Sequence, residues 1–414
     1  MMGKIEPLQV FTSQGHAGVL TEESRHVFNY ETTSAAQAVS LLMPLRAESY
    51  AGDSIPAPFL QNRPEGYLLQ ALEHRFAKAG GLTDMQMLAY SSTQIGRLHF
   101  NHAGKQKKPT PPKIGKQALL KESATTELFE FLVDTYLLDS FVAGVQPKVM
   151  IPDQDKSSAT QRPSPLPSLI VKAAGINYLG LTQNEFLCMT AAQKAGLPVA
   201  PFWLSDDGKL FVTERFDLQD GQPIGFEDFA VLMGRTGRTD SKYTGSYETL
   251  AKAVGAFCPE PENSLDGTQR LFAYIALSVL VRNGDAHLKN FGLTYTHPAD
   301  RASIRLAPLY DVVTTSMYNL QSRDTGPAVY DRQLALKLAG TKAYPGRTEL
   351  LQFGRVHCHV AHPERVIERL CDAMQDTLEQ ERCRIENTDQ LRVLKKEWAA
   401  GIQSLQMTRL AIPR

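Results

Sequence analysis

Over residues 1 to about 100, short alternating segments such as Gly18-Val19-Leu20 and His26-Val27-Phe28-Asn29-Tyr30 predict strands, because successive strand side chains point to opposite faces. A helical spacing runs from Pro64 to Ala79, so this stretch reads as a small α+β unit. From Glu122 the pattern is helical to about Leu138, followed by a glycine turn and the apolar strand Val149-Met150-Ile151. A polar, proline-rich insert from Asp153 to Pro167 separates it from the strand Ser168-Leu169-Ile170-Val171-Lys172, and the two strands are expected to pair antiparallel. Asn184 to Ala195 reads as a helix and Leu210 to Phe216 as a strand; from there to the C-terminus helices dominate. The longest apolar run, Leu271 to Val281, is too short for a bilayer and is flanked by Arg270 and Arg282, which predicts a buried helix and no membrane association.

The chain has 414 residues, more than one ordinary core, and predicts two or three domains. Hydrophobic residues at 43% and charged residues at 21% describe a globular chain rather than a disordered one. Acids and bases number 44 each, so the overall balance selects neither nucleic acid nor an anionic membrane as a partner. Charge is concentrated locally in Gly104 to Lys116, with five lysines, three prolines and no acid, expected to be an extended linker or a basic arm toward nucleic acid. Five scattered cysteines form no CxxC pair, and the N-terminus lacks an apolar segment with a cleavage site; both favour a reduced, cytoplasmic compartment.

Candidate chemistry lies directly after the apolar helix, in Asn283-Gly284-Asp285-Ala286-His287-Leu288-Lys289-Asn290, with Pro308-Leu309-Tyr310-Asp311 downstream. A phosphotransferase needs a carboxylate to orient the attacking hydroxyl, and an Asn and a second Asp to hold Mg²⁺ against the nucleotide phosphates. Asp285 fits the first role, and Asn290 and Asp311 the second, with His287 in the same loop grouped with the nucleotide contacts. Lys172, ending its strand, is placed to reach the phosphates, and Glu185, on the next helix, to orient that lysine. Ser140-Phe141-Val142-Ala143-Gly144-Val145-Gln146-Pro147-Lys148 occupies the place of a phosphate-covering loop without being GxGxxG or a Walker motif, so Gly144 either admits phosphate or makes a turn, and Lys148 is a phosphate contact or a solvated strand end. The cluster His357-Cys358-His359 with His362 reads as polar residues around a helix start rather than a metal site.

Ser140 to Lys148, Lys172, Asn184-Glu185-Phe186, Thr213 to Asp217, Asn283 to Asn290 and Pro308 to Asp311 together resemble the HipA-type serine/threonine kinases, the toxins of bacterial toxin-antitoxin modules. Gly18-Val19-Leu20, Phe28-Asn29-Tyr30, Ser40 to Leu45 and Phe59 to Gly66 are similar to that family's small N-terminal subdomain, so the likeness covers about residues 1 to 320. The resemblance implies a bilobal, protein-kinase-like α+β fold: an N-terminal subdomain over 1–103, the linker 104–116, an ATP-binding lobe portion over 117–217 and a mostly helical lobe over 218–414. It implies Asp285 as catalytic base, Asn290 and Asp311 on Mg²⁺, Lys172 on ATP, Glu214 and Phe216 near the adenine, and Ser140 as a self-inhibiting autophosphorylation site. The implied partners are a small helix-turn-helix antitoxin, DNA through that antitoxin, and a protein substrate, an aminoacyl-tRNA synthetase being the family expectation. Two other readings stay open: a small-molecule phosphotransferase, which shares Gly-Asp-x-x-x-x-Asn, and a catalytically silent, antitoxin-bound co-repressor.

Overall fold

The computed structural model describes residues 7–77, 82–91, 93–101, 114–121, 126–153, 155, 166–175, 178–236, 240–320, 329–381 and 389–406. Most of the basic run 104–116, and most of the insert between Asp153 and Pro167, lie outside the described residues. The fold is α+β, as expected. Two compact units divide the chain: residues 1–177, 200–239 and 292–307 form the first, and 178–199, 240–291 and 308–414 the second.

In the first unit, β1 (Leu8–Thr12), β2 (Gly15–Glu22), β3 (His26–Tyr30), β4 (Tyr50–Gly52) and β5 (His99–Asn101) form an antiparallel sheet in the order β4-β3-β2-β1-β5. Alternation puts Leu8, Val10, Leu20 and Phe28 on one face, where they pack with Phe59 and Phe100, and each such side chain contributes about 1.5–3 kcal/mol on burial. The same unit holds a second antiparallel sheet of β6 (Lys148–Ile151), β7 (Leu169–Ala173), β8 (Phe202–Leu204) and β9 (Leu210–Glu214), ordered β6-β7-β9-β8. The predicted β6/β7 pair is therefore found. Leu132 and Tyr136 of the helix Thr126–Tyr136 cover Val149, Ile151, Val171 and Val212 of this sheet.

The second unit is organised around the helix Pro261–Leu280, whose last ten residues, Leu271 to Leu280, are all buried. That apolar perimeter is possible because the helices Tyr247–Phe257, Arg347–His357, Pro363–Gln380 and Asp389–Leu405 pack around it. Gly401 lies against the carbonyl of Leu280, where a side chain would collide. No helix among the described residues is long and apolar enough to cross a membrane.

Helical dominance after Phe216 holds only in part. A hairpin of Gln333–Leu338 and Thr341–Ala343 turns through Ala339 and Gly340, both left-handed at φ 49° and 84°. Positive φ at both central residues gives the turn a twist that matches its strands, a signal that Ala-Gly carries weakly in sequence. The His-Cys-His cluster lies at a helix end rather than a start: His357 closes one helix, Cys358 is buried, and His362 precedes the next.

Candidate active site

The loop Asn283–Asn290 is built by a sharp stop at the end of the buried helix. Arg282 is left-handed at φ 58°, which ends the helix, and its carbonyl accepts from the backbone N–H of Thr315 at 3.2 Å. Asn283, itself buried, accepts the Asp285 N–H on Oδ1 at 2.9 Å, an Asx turn. Gly284 donates its N–H to Thr315 Oγ1 at 2.6 Å, and a Cβ there would lie 2.5 Å from the Gln333 carbonyl, so only glycine fits.

This turn presents Asp285 with its side chain 48% exposed. Asn290 Nδ2 donates to the Asp285 backbone carbonyl at 2.7 Å, so amide and carboxylate share one rigid loop. Tyr243 donates its hydroxyl to Asp285 Oδ1 at 2.7 Å, and Nε2 of the buried His287 lies 3.8 Å from that same oxygen. Tyr247 donates to the Ala286 carbonyl at 2.9 Å; burial pushes its phenol up, which keeps it a donor.

The segment that ends in Asp311 is tied to this loop by Tyr310, whose hydroxyl donates to the Lys289 carbonyl at 2.8 Å, next to Asn290. Asp311 is left-handed at φ 55°. The chain beyond it is clamped at Thr314, whose N–H donates to Asn184 Oδ1 at 2.9 Å and whose carbonyl accepts from Asn184 Nδ2 at 3.0 Å. Trp398 Nε1 donates to Thr314 Oγ1 at 2.8 Å. Glu185, buried beside Asn184 on the helix Leu181–Lys194, belongs to the same unit as Asp285, His287, Asn290 and Asp311.

The other predicted residues belong to the first unit. Lys148 and Lys172 stand directly opposite each other on β6 and β7, 3% and 5% exposed. Lys148 Nζ donates to the Ala143 carbonyl at 3.1 Å and covers Gly144, which is at φ 119°. Lys172 Nζ lies 5.6 Å from the centre of the Phe211 ring. Ser140 is 1% exposed and tied in place: its hydroxyl donates to the Tyr136 carbonyl at 2.8 Å and accepts the Met150 N–H at 2.8 Å. Glu214 and Phe216 flank Arg215, which forms a buried, two-pronged ion pair with Asp217 at 3.0 and 2.5 Å. Phe216 packs edge-on against Phe226 at 5.2 Å.

Family comparisons match this layout. A model described as the HipA-like C-terminal domain matches residues 140–381, and one described as the HipA N-terminal domain matches residues 8–101. The chain belongs to the HipA family. The candidate kinase Y4dM of Sinorhizobium fredii is 31% identical over 180 residues, 40% of this HipA-family chain and 41% of that protein. A candidate kinase of Haemophilus influenzae is 31% identical over 196 residues, 43% of this chain and 53% of that protein. The chain thus spans about half the length of the curated relatives it matches. HipA of the Shewanella oneidensis toxin-antitoxin system, in a complex with HipB and its operator DNA, matches over 96% of both chains with a TM-score of 0.67 at 18% identity, which shows a shared HipA fold.

Sequence reasoning missed Tyr243, Tyr247 and Thr315, which brace the loop from outside it; no motif marks them. Asn184 and Tyr310 lie inside the motifs Asn184-Glu185-Phe186 and Pro308-Leu309-Tyr310-Asp311, but their bracing contacts have no signature in spacing.

Proposed function

We propose that this chain is an ATP- and Mg²⁺-dependent serine/threonine protein kinase acting as the toxin of a toxin-antitoxin module. One observation carries the reading: Asp285, Asn290 and the segment ending in Asp311 are bonded into one structure, through Asn290 to Asp285 and Tyr310 to Lys289. In the reaction, the acceptor hydroxyl oxygen bonds to the γ-phosphorus as the bond to the ADP oxygen breaks, and the hydroxyl proton passes to the Asp285 carboxylate. One amide oxygen and one carboxylate, from Asn290 and Asp311, are a donor set suited to a hard cation, and Mg²⁺ there would neutralise charge on the phosphates. Phosphorylation of Ser140 would switch the enzyme off: the buried hydroxyl must first leave Tyr136 and Met150, and a charge of about −1.5 to −2 could not return to that place.

The proposed partner is a HipB-like helix-turn-helix antitoxin, supported by family membership and by the assembly of the Shewanella relative. The test is radiolabel transfer from ATP to purified candidate acceptors, an aminoacyl-tRNA synthetase among them. The wild type should transfer and Asp285→Asn should not, while Asp311→Asn should weaken ATP binding only when Mg²⁺ is present. Equal transfer by the wild type and Asp285→Asn would remove the proposed base.

A further inference from the structure

Asp285 is half-exposed, so water alone would leave its carboxyl several rotamers of similar energy. The structure instead holds one of its oxygens. Tyr243 donates to Oδ1 at 2.7 Å, and His287 Nε2 stands 3.8 Å from the same atom. We infer that Tyr243 is a positioning residue for Asp285: its phenol fixes the carboxylate through Oδ1 and leaves Oδ2 to receive the acceptor's proton. This inference rests on the kinase reading.

Tyr243 is well placed to hold something else still. It ends the short turn Ser241–Tyr243, and its carbonyl accepts from Lys342 Nζ at 3.2 Å. Its ring packs edge-on against His287 at 5.0 Å between centres. Two residues on, the Gly245 carbonyl accepts the N–H of Lys337 at 3.2 Å. The hairpin that supplies Lys337 and Lys342 also supplies Gln333, the carbonyl against which Gly284 is packed. One hairpin therefore backs both the loop that carries Asp285 and the segment that carries Tyr243.

The neighbouring phenol provides a contrast. Tyr247 donates to the backbone carbonyl of Ala286, which braces the loop but touches no reacting group. Tyr243 donates to the carboxylate itself, a charge-assisted bond roughly twice as strong as a neutral one. The opposite role, a gate in which the phenol sits where the acceptor hydroxyl must enter, predicts the opposite sign: removing the hydroxyl would speed transfer.

The experiment uses the full chain with ATP, with dephosphorylated casein and the chain itself as acceptors. Tyr243→Phe removes one oxygen and keeps the ring packing. It should lower kcat by about 10- to 100-fold, the span expected of a hydrogen bond to a charged group, with KM for ATP changed by less than about twofold. Amide hydrogen exchange across residues 283–290, without nucleotide, should quicken. Tyr247→Phe should instead lower the melting temperature with a smaller loss of kcat. An unchanged or raised kcat in Tyr243→Phe would overturn the inference, as would matched losses in the two variants. If the wild type transfers phosphate to neither acceptor, the kinase reading fails; faster exchange in Tyr243→Phe would then still uphold the positioning contact, and unchanged exchange would end it.

Discussion

The loop Asn283–Asn290 accepts hydrogen bonds from the side chains of Tyr243, Tyr247 and Tyr310 and donates one to that of Thr315, over sequence separations of 42, 39, 21 and 31 residues. In Ser140–Lys148 local bonds, from Ser140 to Tyr136 and Met150 and from Lys148 to Ala143 over 4, 10 and 5 residues, stand beside distant ones: the Phe141 N–H donates to the Thr93 carbonyl at 3.3 Å, and Gln146 Nε2 donates to the Ala173 carbonyl, 27 residues away, at 3.4 Å. A loop fastened mainly by distant segments opens only when tertiary packing is lost, whereas the part of a loop held by its own neighbours, here the stretch about Ser140 and Lys148, can open with less disturbance elsewhere. Both loops carry residues proposed for phosphoryl transfer.

The largest expected effect breaks the first loop's chemistry without touching its bracing. Asp285→Asn keeps a side chain that can still meet Tyr243, and should lower phosphoryl transfer by about 10²- to 10⁴-fold with the melting temperature nearly unchanged, read by radiolabel transfer beside calorimetry. A substitution against the bracing should act on stability instead. In Gly284→Ala the new Cβ would press on the Gln333 backbone, which has no flexible end to yield, and should cost about 1–3 kcal/mol in urea unfolding along with activity.

For the second loop the effect should stay local. Ser140→Ala leaves the buried Met150 N–H without its acceptor, at a cost of about 1–3 kcal/mol, and amide exchange should quicken across 140–150 while 283–290 holds its rate. Quickening in both loops would mean that they open as one, and the contrast would fall. Mass spectrometry sharpens it further: wild type incubated with ATP should acquire phosphate on Ser140 and Asp285→Asn should not. Phosphate confined to Ser157, Ser158, Thr160 or Ser164, which lie outside the described residues, would place the switch in the insert.

The smallest expected effect concerns the clamp behind Asp311. Cys188 lies beside Asn184 and Thr314, and burial pushes its thiol up to about 12 from an ordinary 9.0. The folded state therefore favours the protonated thiol. Its contribution to stability is whole below pH 9.0 and is lost as pH rises through about 12. Native protein treated with iodoacetamide at pH 8.5 should stay unmodified at Cys188 and react there once urea unfolds it. Rapid native alkylation would show that the clamp opens readily.

Much of this was legible in the chain. The β6/β7 pair, the helix carrying Glu185 and the buried helix before Asp285 followed from periodicity, because apolar side chains spaced at 2 or 3.6 residues have one way to share a face. The hairpin Gln333–Ala343 did not. Its strands are short, and its apolar positions are buried by contacts that no local pattern encodes. Ser140 shows a different limit: its sequence position suggests an available hydroxyl, whereas its surroundings make that hydroxyl a buried link between Tyr136 and Met150.

Sequence alone therefore determined the chemical inventory in order: a carboxylate, an amide and a second carboxylate in spacings that phosphoryl transfer can use, and the elements that carry them. Only the tertiary structure decided how each group is held. Tyr243 on Asp285 and Asn184 on Thr314 join residues 42 and 130 positions apart. Hydrogen bonds act over about 3 Å whatever the separation along the chain, so a partner that distant is specified by the packing of the whole fold and leaves no mark in the spacing of residues.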